Sequence, residues 1–464
     1  MSTFFTKKRI ILLVIFISII AGSLWLFLYA KNNKTEFAAS SFNLFQKVSK
    51  LLPLTPDTKK EIEVVNKLVE FITTKDDTVH TFLMLLQNAD ELRPGGGFLG
   101  QYAIIKTKNG EIISTFVEDA NLLDQRISAD VPTPYPFARK IQLKKWKFRD
   151  SNYSPDFSLN AKQAETFYQM GQGQEQFDGV VAITTNVLSS FLRVTGPVTL
   201  EGFPGTYGAD NAILDLEYQV EQGYLKQDIA FGERKSVMNL LGFEILHRVK
   251  DASFSKKYEL FKVVLDDLHR KDIQLSFKDE ILQEQVVSSG FDGAVDKTWK
   301  NDYLFLVDAN LNSFKSDYYM KRSYDYTIDL SSPVPKAVLK VTYKNTTPVK
   351  DWFAKDYQTF LRVYVPKGSY LEKVTGAAKD PVFGGEFNKK YFGVLVQVPI
   401  LTEKTVVFEY TLSENFKSEW YDLKIQKQAG LNDVPVTVTT IMKDGQKEEK
   451  HSILNRDMML SDMK

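Results

Sequence analysis

Cysteine is absent from all 464 residues, which excludes disulfide staples, thiolate metal sites and cysteine nucleophiles. Histidine is scarce: His80, His247, His269 and His451 stand alone, and no two have the spacing of a zinc-binding helix. No Gly-x-Ser-x-Gly and no Gly-Lys-Ser/Thr string occurs, so neither a hydrolase nucleophile nor a P-loop is legible. An excess of one charge sign is missing too, with 59 Lys and Arg against 58 Asp and Glu. Because Lys7, Lys8, Arg9, Lys31 and Lys34 face no acidic residue in their segment, the remainder carries a net charge of −4. That balance gives no basic footprint, and no nucleic-acid partner is expected.

One long apolar run is present. Ile10–Ala30 contains no charged residue, and about 21 residues at about 1.5 Å each are enough to cross a bilayer core. Lys7, Lys8 and Arg9 precede it more densely than Lys31 and Lys34 follow it. The positive-inside rule then places the N-terminus in the cytoplasm and the bulk outside. A cleaved signal peptide is the competing reading. Its apolar region is normally about 7–15 residues, and Ala38-Ala39-Ser40 is a poor cleavage site beyond two lysines. The expectation is a single-pass anchor in the cell membrane. A bacterial envelope protein needs no disulfides, unlike most secreted animal domains.

With 43% hydrophobic residues the chain can bury more than one core. A cytoplasmic tail (1–9), anchor (10–30), and stalk with amphipathic helix (31–75) lead into an α/β mixed-sheet domain at 76–290. Thr78–Leu86 reads as a buried strand there, and Gln101–Thr107, Asn109-Gly110 and Glu111–Val117 as a hairpin. Asp119–Pro136 reads as a loose stretch and Phe148–Phe157 as a polar loop. Gly179–Thr184 is a strand, and helices are expected at 160–170, 186–193, 211–222, 233–249 and 258–270. From about residue 300 to 464 the helical period gives way to strands, indicating an all-β sandwich.

Three polar motifs are candidates for chemistry. Gln87-Asn88, Glu91, Arg93 and Gly95-Gly96-Gly97 follow the first strand. Glycine N–H groups beside a guanidinium can cradle phosphate, or the glycines only turn the chain while Arg93 pairs Glu91. The second motif joins Asp119 and Asn121 to Phe148-Arg149-Asp150 and Asp156. Oxygen-rich loops of this kind can hold a divalent cation, and Asx turns explain the same residues without chemistry. The third is Glu233-Arg234-Lys235 at a helix start, an anion site or a solvated charge cluster.

The string Gln87-Asn88…Glu91-x-Arg93…Gly96-Gly97-Phe98-Leu99-Gly100 resembles the bacterial domain-of-unknown-function family 4012. So do Arg149-Asp150-x-Asn152-x-Ser154-Pro155-Asp156-Phe157, Asp178–Ile183, Thr195-Gly196-Pro197-Val198, Asn310…Lys315-Ser316-Asp317-Tyr318-Tyr319 and Arg362–Ser369. That family supplies no reaction. More distantly, the element order is similar to that of the LytR–CpsA–Psr enzymes, which move glycopolymers from polyprenyl-pyrophosphate carriers to the cell wall. Arg193–Val198 and Phe231–Lys235 carry that likeness. It departs where Glu118-Asp119-Ala120-Asn121 stands in place of Pro-Arg-Asp, and where Lys235 replaces Gln.

The resemblance implies Asp119, Arg149 and Asp156 as catalytic residues. Glu91, Arg93, Gly96, Gly97, Asn121, Arg234 and Lys235 would hold the substrate, with Mg2+ on Asp119 and Asp156. The partners would be a polyprenyl-linked lipid and an envelope polymer. The alternative is a non-catalytic envelope binding or structural protein that keeps the fold without the activity.

Overall fold

The computed structural model describes residues 62–464 apart from 66, 69, 72–73, 75–76, 138–144, 414–415 and 417–419. The expected tail and anchor, and the stalk segment as far as residue 61, fall outside these residues. Among the described residues no helix is long and apolar enough to cross a membrane. The chain is mixed α/β with three sheets. It divides into two compact units, one reaching to His80 and including Lys106–Ser114, the other made of Thr81–Ile105 and Thr115–Lys464. In the first unit residues 62–71 are helical where described. Asp77 meets Lys108 at 3.1 Å within the same unit.

The first sheet contains β1 (Val79–Asn88), β2 (Phe98–Lys108), β3 (Glu111–Asp119), β4 (Gly179–Thr184) and β5 (Ile273–Phe277), in the order β3-β2-β1-β4-β5. β1 and β4 run parallel from Phe82↔Gly179 to Gln87↔Thr184. The β2–β3 turn has Asn109 at φ 54 and Gly110 at φ 82, the two positive values of a tight primed hairpin turn.

Among the described residues seven helices accompany the sheet: α1 (Ala120–Arg126), α2 (Phe157–Met170), α3 (Thr185–Thr195), α4 (Ala212–Glu221), α5 (Ser236–Asp251), α6 (Phe254–His269) and α7 (Glu280–Ser288). Phe157, Ala161, Ala164, Phe167 and Tyr168 recur at helical spacing, so α2 buries one face against Leu83, Leu85, Tyr102 and Val180. A second core gathers Leu192, Leu216, Val220, Val237, Leu241 and Ile245 from α3, α4 and α5.

Two expectations are corrected here. Asp119 caps α1 by accepting from the Asn121 N–H, so the stretch after it is partly helical. Phe148–Asp150 form a 3-10 turn, and Phe148, Asp150, Ser151, Asn152 and Asp156 are buried. The supposed polar loop is interior structure whose carboxylates and amide need partners.

Among the described residues no α-helix follows Ser288. The strands there are β6 (Asp302–Val307), β7 (Met320–Asp329), β8 (Lys336–Asn345), β9 (Tyr357–Pro366), β10 (Tyr370–Thr375), β11 (Val382–Glu386), β12 (Lys389–Val398), β13 (Glu403–Thr411), β14 (Leu423–Gln426), β15 (Val434–Ile441), β16 (Lys447–Leu454) and β17 (Met458–Met459). They form two six-stranded sheets, β10-β13-β8-β7-β15-β16 and β11-β12-β9-β6-β14-β17. One apolar core takes side chains from both, including Leu304, Tyr326, Leu339, Val363, Val394 and Val436. β14 runs parallel to β6 and β15 parallel to β7, so both sheets are mixed.

β7 and β8 alternate between buried and more exposed positions, as one-sided strands must. β6 is buried at every position. Its other face packs Tyr303, Phe305 and Val307 with Val295 and Tyr364, and beyond it Phe137 joins Ala309, Leu311 and Phe360. A strand covered on both faces loses its polar alternation.

Candidate functional site

The segment after β1 is where the α/β part meets the strands that follow. Arg93 is 2% exposed. Its Nη2 donates to Glu91 Oε1 at 2.8 Å, its Nη1 donates to the Asn310 carbonyl at 3.2 Å, and its Nε lies 3.5 Å from Asp150 Oδ1. The rings of Phe98 and Phe137 sit 5.5 and 5.4 Å from the guanidinium. Burial lowers the Arg93 pKa, but Glu91 and Asp150 outweigh it and hold the charge.

Two of the three glycine N–H groups of this motif are engaged within the protein. The Gly95 N–H donates to the Asn152 carbonyl and the Gly96 N–H to the Arg93 carbonyl, each at 3.0 Å, and the Phe98 N–H donates to the Glu91 carbonyl at 2.9 Å. Gly96 has φ 134. A side chain on Gly97 would strike the Asn88 carbonyl, and one on Gly430 would strike that of Gly96. Gln274 and Gln428 donate to the carbonyls of Gly95 and Arg93, each at 3.0 Å. Arg93 pairs Glu91 within a tight turn, as one of the two readings of this motif expects.

Four of the expected residues do meet. Asp119 Oδ2 lies 2.8 Å from Lys235 Nζ, and its Oδ1 accepts from the N–H and Nδ2 of Asn121. Asn121 Oδ1 accepts from Arg149 Nη1 at 2.8 Å. Arg149 then faces Asp124 at 3.4 Å and Asp150 at 3.7 Å, so Asp150 lies between Arg149 and Arg93. Lys235 also donates to the Gly100 carbonyl at 2.9 Å. This line runs along the last residue of β3 and the first residues of β2. Burial pushes the Asp119 carboxyl up, but Lys235 and Asn121 reverse the balance and hold it below the usual range. Burial pushes Asp124 up to about 6 against the pull of Arg149.

The remaining expected residues make other contacts. Arg234 is 3.4 Å from Glu221. Asp156 is fully buried, accepts from the Val295 N–H at 3.3 Å and faces Lys297 at 3.1 Å. Asp119 and Asp156 have no ionic or hydrogen-bonding partner in common. Both oxygens of Asp119 already face N–H donors, so the pair as placed does not fit a shared magnesium ion. Among the described residues no three carboxylates or imidazoles converge as metal ligands.

Two residues here stand outside the three candidate motifs. Glu217 on α4 accepts from Asn88 Nδ2 at 2.7 Å, and Lys315 lies 3.7 Å from Glu217 and 3.9 Å from Glu91. Burial raises the Glu217 carboxyl against the pull of Lys315. Beside them burial, then repulsion from Glu217 and Asp317, raises Asp90 to about 8. A helical glutamate reads as a solvated face, and only the family-like string at 310–319 pointed near Lys315.

No curated protein matches the chain. Among solved structures, protein gbs0355 from Streptococcus agalactiae shares 10% identity at a TM-score of 0.30, over 47% of this chain and 75% of that one. Lin1025 from Listeria innocua shares 14% at 0.26, over 46% and 79%. Residues 77–220 match the model of a family described as a protein of unknown function, DUF4012.

Proposed function

We propose that the chain works at the cell envelope as an anchored, non-catalytic binding or structural protein. In this reading Ile10–Ala30 is the anchor, the bulk is extracytoplasmic, and an α/β domain over 76–290 precedes an all-β sandwich over 300–464. The observation that supports it is the enclosure of Arg93, whose guanidinium is held by Glu91, Asp150 and the Asn310 carbonyl. A diphosphate would have to break a buried ion pair, at a cost of about 3–5 kcal/mol, to reach it. Arg93, Arg149 and Arg234 each pair with carboxylates.

The second reading is transfer of glycopolymer from a polyprenyl-pyrophosphate carrier, as in the LytR–CpsA–Psr enzymes. The partly exposed line Arg149–Asn121–Asp119–Lys235 favours it, since cations beside a carboxylate suit a departing pyrophosphate. It needs Mg2+ at Asp119 or Asp156, and therefore a rearrangement of Lys235 or Lys297.

The full chain, purified from membranes, separates the two. Incubated with a polyprenyl-pyrophosphate glycan and Mg2+, it should release no polyprenyl phosphate. Turnover that Arg149→Ala removes would establish the transferase instead. Retained polyprenyl lipid is read by mass spectrometry. If a pyrophosphate contacts Arg149, Arg149→Ala should weaken retention by about 1.5–3 kcal/mol.

A further inference from the structure

A seam of charged side chains runs between α4 and the turn after β1. Asn88 spans it: its Oδ1 accepts from the Asp90 N–H at 3.0 Å, and its Nδ2 donates to Glu217 Oε1 at 2.7 Å. From the strand-rich part, the Asp317 N–H donates to the Asp90 carbonyl at 3.1 Å, and Lys315 lies 3.7 Å from Glu217. Next to Glu217 on α4, the Tyr218 ring sits 6.1 Å from that of Trp352. Leu216 and Val220 of the same helix belong to the separate core shared with α3 and α5. The helix therefore meets the seam through polar and aromatic groups.

Most charges around the seam have partners of their own. Glu91 pairs Arg93 and Asp317 pairs Arg322, while Arg234 and Lys235, just ahead of α5, face Glu221 and Asp119. Asp215 accepts from Asn211, and burial with the nearby Asp90 charge keeps the Tyr318 hydroxyl protonated. That leaves Asp90 and Glu217 against Lys315, whose ammonium is also 3.9 Å from Glu91. Asp90 is 7% exposed, and among the described residues no donor reaches its buried Oδ2. A carboxyl in that setting is costly when charged and acceptable when protonated.

We infer that this seam is a proton-operated latch: a proton on Asp90 lets Glu217 hold Asn88 and Lys315 so that α4 stays closed on the turn after β1, and loss of that proton sets two carboxylates against one ammonium and releases α4. Opening would part Tyr218 from Trp352 and bare Asn88, Glu91 and Lys315 to solvent. The sign follows from linkage. Closing takes up a proton at Asp90, whose carboxyl burial and then Glu217 raise from 3.8 to about 8. The closed form has its full advantage below the lower value and loses it as pH rises through the upper one. The latch operates under either reading of the function, because it lies in the fold and needs no ligand.

The absence of cysteine permits a direct test, because two introduced thiols are the only labelling sites. Leu225, in the 3-10 turn Gly223–Gln227 that follows α4, and Val349, three residues before Trp352, are 65% and 59% exposed. The full-length Leu225→Cys, Val349→Cys chain in detergent is labelled with nitroxides, and the distance between them is read by pulsed electron paramagnetic resonance from pH 6 to pH 9. A second, longer distance should appear as pH rises, its population relative to the shorter one growing about tenfold or more across that range. Return to pH 6 should restore the shorter distance. With Asp90→Asn added, the shorter distance should persist at every pH.

A single distance unchanged from pH 6 to pH 9 overturns the proposal. So does lengthening that is as large in Asp90→Asn as in the parent chain, which would assign the opening to another group. Lengthening accompanied by loss of the circular dichroism of the whole chain also overturns it, since that is global unfolding rather than release of one helix. Should Asp90→Asn fail to fold, Glu217→Gln takes its place. It removes the second carboxylate and keeps an acceptor for Asn88, so it too should hold the seam closed at pH 9, and an opening equal to the parent's refutes the latch.

Discussion

The backbone N–H of Leu92 donates to a carboxylate oxygen of Asp317, 225 residues further on, at 3.0 Å. Asn310 Nδ2 donates to the same oxygen at 2.8 Å, while the other receives Arg322 Nη2 at 2.6 Å. Arg322 is also held by Asp308 at 2.9 Å and is buried. The turn after β1 is thereby tied to the charged interior of the strands that follow.

Asp317→Ala should lower stability by about 3–5 kcal/mol, the range for removing one partner of a buried ion pair. Asp317→Asn should cost less, because it keeps an acceptor for Leu92. Urea midpoints of the two variants check this. A loss under about 0.5 kcal/mol, typical of surface changes, would show that the tie contributes little.

Gly430 and Gly445 both have left-handed backbones, at φ 72 and φ 83. Gly445 has open space where a Cβ would sit, whereas Gly430 faces the Gly96 carbonyl. Gly445→Ala should cost about 1–2 kcal/mol, the penalty for a left-handed residue with a Cβ. Gly430→Ala should cost distinctly more or prevent folding. Equal melting temperatures for the two variants would rule out close approach as the reason for glycine at 430.

Stability should depend on pH through Asp90. The folded carboxyl titrates at about 8, above its ordinary 3.8, so folding takes up a proton between those values. The stabilisation is full below the lower value and is lost as pH rises through the upper one. Asp90→Asn mimics the protonated form, so the variant should gain on the wild type as pH is raised from about 5 to about 9. A constant difference in urea midpoint across that range would contradict the shift.

Lys235 and Asp119 should be coupled. The pair is 2.8 Å apart, with side chains 15% and 24% exposed. A double-mutant cycle with Lys235→Met and Asp119→Asn should give about 1 kcal/mol or more, above the median for surface pairs. Additive losses would mean that solvent already satisfies both groups.

What could be read from the residues alone followed local periodicity. Gly179–Thr184 was found at its limits because it is a short apolar run between turn signals, and Asn109-Gly110 marked its hairpin for the reason given above. β7 was harder to see: Arg322 points inward between Met320 and Tyr324, which breaks an otherwise regular alternation. β5 is only five residues long and begins after the positive-φ Lys271. Of the site, Asp119, Asn121 and Arg149 belong to one candidate motif and Lys235 to another, and the four are hydrogen-bonded in one line. The roles of Glu217, Lys315 and Asp150 depend on partners brought close by tertiary packing, and an ion pair between distant residues leaves no period in either segment.

The two parallel pairings have a consequence for the timing of synthesis. β6 and β7 are made early in the strand-rich part, yet each must wait for β14 or β15 to occupy its free side. Until residues 423–441 have left the ribosome, both sheets present an open backbone edge, and a growing chain in that state is prone to mispairing with its neighbours. The two sheets are therefore finished almost together, by one late stretch of polypeptide. A premature stop ahead of Leu423 would deprive both of strands at once, leaving a product for quality-control proteases rather than a shortened but working protein.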